Sequence, residues 1–103
     1  MSQILLTGGF VEDGVAQLTR SLAIAWASDG IRVNALAPGW IATDLTAALT
    51  QNSERSAELV GRTPMGRWGK PDDLAGPALF LASPGANFIT GVLLPLDGGY
   101  SSR

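Results

Sequence analysis

Cysteine and histidine are both absent from the 103 residues. Without cysteine there is no disulfide, no thiolate nucleophile and no zinc–sulfur site. Without histidine the commonest metal ligand, any Ser-His arrangement and any imidazole base disappear as well. Charged residues make up only 16% of the chain, with a net charge of −2. The seven cations (Arg20, Arg32, Arg55, Arg62, Arg67, Lys70 and Arg103) are scattered, which removes the basic footprint that nucleic acid requires. No apolar run approaches the length of a membrane span. Residues 1–10 also lack the basic start and apolar length of a signal peptide. The expectation is a soluble, cytoplasmic protein with neither nucleic acid nor membrane as partner.

What is present is apolar surface: 46% of residues are hydrophobic. That is enough to bury a core and too much for an intrinsically disordered chain. A single domain, residues 1–103, is expected. A domain this short buries a smaller fraction of its surface than a larger one, and self-association is the commonest destination for the excess.

Gln3–Thr7 is a short apolar run ended by Gly8-Gly9, suited to a buried parallel strand and a turn. Residues 14–28 carry a helix pattern, with Val15, Leu18, Leu22, Ala25 and Trp26 on one side. Ala16, Ala23, Ile24 and Ala27 make the other side too apolar for a solvated face. One side is expected to meet the sheet and the other a second subunit. Asp29-Gly30 ends the helix, and Ile31–Leu36 reads as the second strand, stopped by Pro38-Gly39. Thr43 or Asp44 is positioned to cap a short helix over 45–51, followed by a helix over 53–61. Pro71-Asp72-Asp73 starts another helix, with proline in the first turn and acids complementing the dipole. Residues 91–96 form a third strand, in which Pro95 argues for an edge position. The order β-α-β-α-α-α-β predicts an α/β fold: a three-stranded parallel sheet with helices on both faces.

Three segments carry a family resemblance. They are Ile31-Arg32-Val33-Asn34-Ala35-Leu36-Ala37-Pro38-Gly39-Trp40-Ile41-Ala42-Thr43-Asp44, Pro64-Met65-Gly66-Arg67-Trp68-Gly69-Lys70-Pro71-Asp72-Asp73-Leu74-Ala75, and Ile89-Thr90-Gly91 with Asp97-Gly98-Gly99-Tyr100. Together they resemble the C-terminal half of a short-chain dehydrogenase/reductase of the 3-oxoacyl-carrier-protein-reductase-like kind. The likeness covers residues 14–100 and implies a partial Rossmann-like fold and, for an active member, NAD(P)-dependent oxidoreductase chemistry. In that family a tyrosine four residues before a lysine transfers the proton. Tyr100 and Lys70 are the only tyrosine and lysine of this sequence, so these 103 residues hold no Tyr-x-x-x-Lys. Aligning the 14–23 helix places the tyrosine position at Gly8 and the lysine position at Glu12. The family's phosphate loop would have glycine at Glu12 as well, so Thr7-Gly8-Gly9 reads as an ordinary strand-to-helix turn.

The resemblance further implies that Pro38, Gly39, Ile41 and Thr43 sit beside the nicotinamide, with backbone near Ile41 and the Thr43 hydroxyl as contacts. The plainer reading makes this loop a strand stop and helix cap. Thr63–Asp73, with Arg67, Trp68 and Lys70, reads as a lock between helices whose charges stay solvated, and Asp72-Asp73 lacks a third metal ligand. In relatives the last strand and its preceding helix commonly form a subunit interface. The expected function is therefore a truncated, non-catalytic, self-associating module, a homo-oligomer built through the 14–28 helix and the 91–97 strand, with no cofactor. The alternative is a subunit that binds NAD or NADP and whose site is completed by a second chain.

Overall fold

A computed structural model describes residues 1–6 and 12–102. Three parallel strands, β1 (Ser2–Leu6), β2 (Arg32–Pro38) and β3 (Leu93–Leu96), lie in the order β1-β2-β3. Ser2 pairs with Arg32 and Leu6 with Leu36; Ala35 pairs with Leu93 and Pro38 with Leu96. The helices are α1 (Glu12–Trp26), α2 (Ala47–Gln51), α3 (Ser53–Gly61) and α4 (Pro71–Ala82), in the order the sequence predicts. Short 3₁₀ turns at 27–29, 44–46, 84–86 and 100–102 finish the connections. No helix among the described residues is long and apolar enough to cross a membrane.

Several boundaries move. The first strand lies one residue earlier than expected. The first helix starts at Glu12 and tightens into a 3₁₀ turn after Trp26, closed by Gly30 at φ 74°. The second strand runs on to include Pro38. The third starts only at Leu93, because Gly91 turns through φ 79°. Edge placement of Pro95 holds. The turn at Thr7-Gly8-Gly9 lies outside the described residues.

β2 is the buried centre, with Val33 through Ala37 all inaccessible. Leu36 points into a cluster with Leu81 of α4 and Ala86, around which Ile4, Ala78, Ile89, Val92, Leu94 and Leu96 pack. The opposite face of β2 takes α1. The side of α1 that meets the sheet is the small one, since Ala16, Thr19 and Ala23 are buried while Leu18 is 50% exposed. Small side chains allow close approach of helix to strand, and bulky Leu18 would hold it off. The Thr19 hydroxyl is satisfied within its own helix by Val15 O at 2.6 Å. Ile24, assigned from sequence to the same side as Ala16 and Ala23, is 81% exposed.

Two polar side chains, half-buried Arg32 and buried Asn34, tie the sheet ends together. Arg32 donates through NH1 to Leu81 O (2.8 Å) and Ala86 O (2.7 Å), and through NH2 to Ser2 Oγ (2.7 Å). Its fork thus joins β2, β1 and the end of α4. Asn34 donates to Ile89 O and accepts from Val92 N, fixing the chain that leads into β3.

Candidate functional site

The carboxyl ends of β2 and β3 open into a cleft of about 320 Å³, walled by Trp40, Ile41, Thr63, Arg67, Asp97 and Gly98 among others. Ligands of open α/β sheets bind at this end of the strands, and the volume sits at the lower end of the roughly 300–1,000 Å³ of small-molecule pockets.

Its floor depends on glycine. Gly39 donates to Leu96 O at 3.0 Å, and a Cβ there would lie 2.7 Å from Asp97 Cβ and 2.8 Å from Asp97 Cα. Only hydrogen lets the two strand ends meet so closely. Beyond Gly39 the chain makes a second short parallel pairing, Ile41 with Gly69, through Gly69 N to Trp40 O (2.9 Å) and Ala42 N to Gly69 O (2.8 Å). This fastens the loop after β2 to the segment before α4.

That segment is held by an ion pair and two tryptophans. Arg67 contacts both carboxylate oxygens of Asp73 at 2.9 and 3.2 Å, and donates to Trp68 O at 3.0 Å. Asp73 also accepts from Lys70 N at 2.7 Å, closing the first turn of α4 as a capping box does. The Arg67 hydrogen bond, helped by the Lys70 amide, holds the Asp73 carboxyl at about 2. Trp68 donates to Ser56 Oγ at 2.8 Å and stands edge-on to Trp40, with centroids 6.3 Å apart. The expectation of a helix-locking loop is met: α3, α4 and the β2 loop are joined here.

On the opposite wall, burial pushes the Asp97 carboxyl up, but bonds from the Ser101 hydroxyl and amide and from Gly99 N outweigh it and hold it below the usual range. The amide bonds are 3.0 Å from Gly99 and 3.1 Å from Ser101. Gly98 and Gly99, at φ 62° and 93°, turn the chain against Thr63 and Pro64.

The structure separates the four residues singled out from sequence. Ile41 lines the cleft. Pro38 ends β2 and Gly39 is filled by Asp97. Thr43 is exposed and is the N-cap of the 3₁₀ turn at 44–46, one of the two positions expected; in this capping box Thr46 Oγ1 accepts from Thr43 N (2.8 Å) and donates to Ile41 O (2.7 Å). The Ile41 carbonyl is therefore already engaged. Trp40, Thr63 and Asp97 were missed as cleft residues. The Asp97-Gly98-Gly99 run is the available signal, since paired glycines mark a close turn. Every carboxylate lining the cleft is bonded within the protein, and among the described residues no cluster of acids is fit to hold a metal. Asp73 and Asp97, the two carboxylates of the cleft, are both held in the ionised form at neutral pH.

Comparison with known proteins extends this picture. The model of a family described as enoyl-(acyl carrier protein) reductase matches residues 9–101. A 2-dehydro-3-deoxy-D-gluconate 5-dehydrogenase of Pseudoalteromonas atlantica is 53% identical over 89 residues, covering 86% of this chain and 35% of that protein. The chain thus spans about a third of the length of the curated relatives it matches. The structure of a gluconate 5-dehydrogenase from Burkholderia cenocepacia, in complex with NADP and tartrate, aligns with a TM-score of 0.82 at 45% identity, covering 86% of this chain and 35% of that one. A short-chain type dehydrogenase/reductase from Mycobacterium ulcerans aligns over 99% of this chain and 42% of its own, at TM-score 0.92 and 32% identity.

Proposed function

The chain belongs to the short-chain dehydrogenase/reductase family, and from that premise we propose that these 103 residues act as an assembly module of the fold, associating with themselves and catalysing nothing alone. The observation that carries the reading is the apolar surface left on the helices. Ile24 of α1 is 81% exposed, Leu79 of α4 is 71% exposed, and Phe80 and Phe88 are exposed as well. Exposed apolar side chains on both faces of so small a domain give it surface to bury against a second copy. The lack of a Tyr-x-x-x-Lys within the sequence supports the second half of the proposal. Light scattering on the purified chain across 1–100 μM tests it; a monodisperse monomer throughout that range overturns it.

A second reading is favoured by the cleft at the strand ends. There the chain supplies one wall of an NAD(P) site, with Trp40, Ile41 and Gly98 against the nicotinamide end and the other walls provided by a second chain. Relatives solved with NADP support it. The cleft volume suits one end of a dinucleotide, and Gly39 is not a free cradle. A thermal-shift titration with NAD, NADH, NADP and NADPH tests this reading, since ligand at 100 times its dissociation constant stabilises by about 2.7 kcal/mol. No shift at millimolar concentration removes it.

A further inference from the structure

Two glycines of the cleft region leave out a side chain, and they do so against different kinds of neighbour. At Gly39 a Cβ would meet the Asp97 main chain, which cannot yield. At Gly69 it would stand 2.5 Å from Ile41 Cδ1, while the next atom, Trp40 O, lies at an ordinary 3.5 Å. The obstacle at Gly69 is thus the terminal methyl of a side chain that can turn about χ2. The backbone does not require glycine there either. Among the described residues positive φ is confined to Gly30, Gly66, Gly91, Gly98 and Gly99. The two hydrogen bonds of Gly69, to Trp40 O and from Ala42 N, use main-chain groups that alanine also has.

What the missing side chain provides is a seat. Parallel pairing sets Ile41 and Gly69 side by side, with their side-chain positions on one face, and the Ile41 δ-methyl occupies the position left vacant. The main chain on both sides of this contact is tied down. Arg67 and Lys70 N are bonded to Asp73, and the Thr46 hydroxyl holds Ile41 O. Crowding at this point is therefore relieved by the methyl and not by the backbone. Both residues line the cleft, so the free space beside them is the cleft itself. The seat is made entirely by residues that touch one another, whatever closes the cleft from outside.

We infer that Gly69 is a specificity-determining residue of this cleft. By seating the Ile41 δ-methyl it keeps clear the space in which a flat ring of a ligand lies, and a side chain at position 69 drives that methyl into the space. This rests on the reading of the cleft as one wall of an NAD(P) site, and names what limits the ring that the wall admits.

Two substitutions separate the seat from the fold. Gly69→Ala fills it, and Ile41→Val deletes the δ-methyl and no other carbon. Isoleucine δ-methyl labelling reads the contact with no ligand present: the parent chain should show a nuclear Overhauser effect between the Ile41 δ-methyl and the Gly69 α protons. Its absence overturns the inference and leaves the cofactor reading standing. Tm of Gly69→Ala should stay within about 4 °C of the parent; a loss as large as that of Gly39→Ala would assign the glycine to the fold and overturn the inference. The dissociation constant of the tightest-binding of NAD, NADH, NADP and NADPH should rise about tenfold in Gly69→Ala, the scale of one methyl in an apolar pocket. It should fall back to near the parent value in the Gly69→Ala, Ile41→Val double variant. A parent chain that binds, with Gly69→Ala binding equally well or the double variant no better than the single one, overturns the inference alone. A parent chain that binds none of the four at millimolar concentration overturns the cofactor reading and the inference together.

Discussion

Replacing Gly39 by alanine asks whether the floor of the cleft is as tight as its geometry implies. The added Cβ would stand 2.7 Å from Asp97 Cβ and 2.8 Å from Asp97 Cα, against about 3.5–4.0 Å for an unstrained carbon pair. The obstacle is backbone, anchored by Gly39 N to Leu96 O and by the two amides on the Asp97 carboxylate. It cannot rotate away as a side-chain tip would. Forced overpacking of this kind costs about 1–3 kcal/mol. At roughly 4–8 °C per kcal/mol for a domain of this size, a cost of about 2 kcal/mol lowers Tm by roughly 10 °C. Gly14→Ala is the matched control. Its Cβ meets nothing within 4 Å, and inside α1 alanine is favoured over glycine by about 0.5–1 kcal/mol. The same chemical change should therefore move Tm in opposite directions. Thermal denaturation of both variants at one fixed protein concentration is the assay, since association makes Tm concentration-dependent. If Gly39→Ala matches or exceeds the parent chain, the strand ends do not meet as described.

The Asp73 carboxyl, held at about 2 against an ordinary 3.8 by Arg67 and the Lys70 amide, contributes stability above about pH 4 that is lost as pH falls towards 2. Asp73→Asn should lower Tm at pH 7, with the gap to the parent closing between pH 4 and 2; a pH-independent gap would refute the linkage. Arg32→Lys should destabilise by about 2–4 kcal/mol in urea titrations, because one ammonium cannot reproduce a fork that reaches Leu81 O, Ala86 O and Ser2 Oγ together. An unchanged midpoint would show that the tie carries no energy. Leu81→Ala, at a position 2% exposed, should cost about 2–5 kcal/mol, and Leu79→Ala, on the same helix but 71% exposed, under about 0.5 kcal/mol for the monomer. Thr46→Val should leave the fold intact while loosening residues 41–43, measured as faster amide exchange at Thr43, whose N–H is bonded to the Thr46 hydroxyl.

Much of this protein is determined locally. The helix over residues 53–61, the proline and acids that open α4 and the glycine that ends α1 are short-range signals, and each produced its element. So did the order of elements, because apolar runs of strand length between helical runs admit little besides a parallel sheet. The family was legible in motif spacing that local pattern alone does not supply. Choices between alternatives of equal local merit needed the tertiary structure. The sequence offered two apolar sides of α1, and only contact with β2 selected Ala16, Thr19 and Ala23, because small side chains let helix and strand approach. Thr43 and Asp44 are both chemically able to cap; the extended backbone at Thr43, its N–H held by the Thr46 hydroxyl, decided for Thr43. Asp97 lies 58 residues from Gly39 by their numbers, and no local rule brings them into contact. Pro95 announced an edge strand from sequence alone, but which backbone groups face outward is a matter of register, and register exists only once strands have paired.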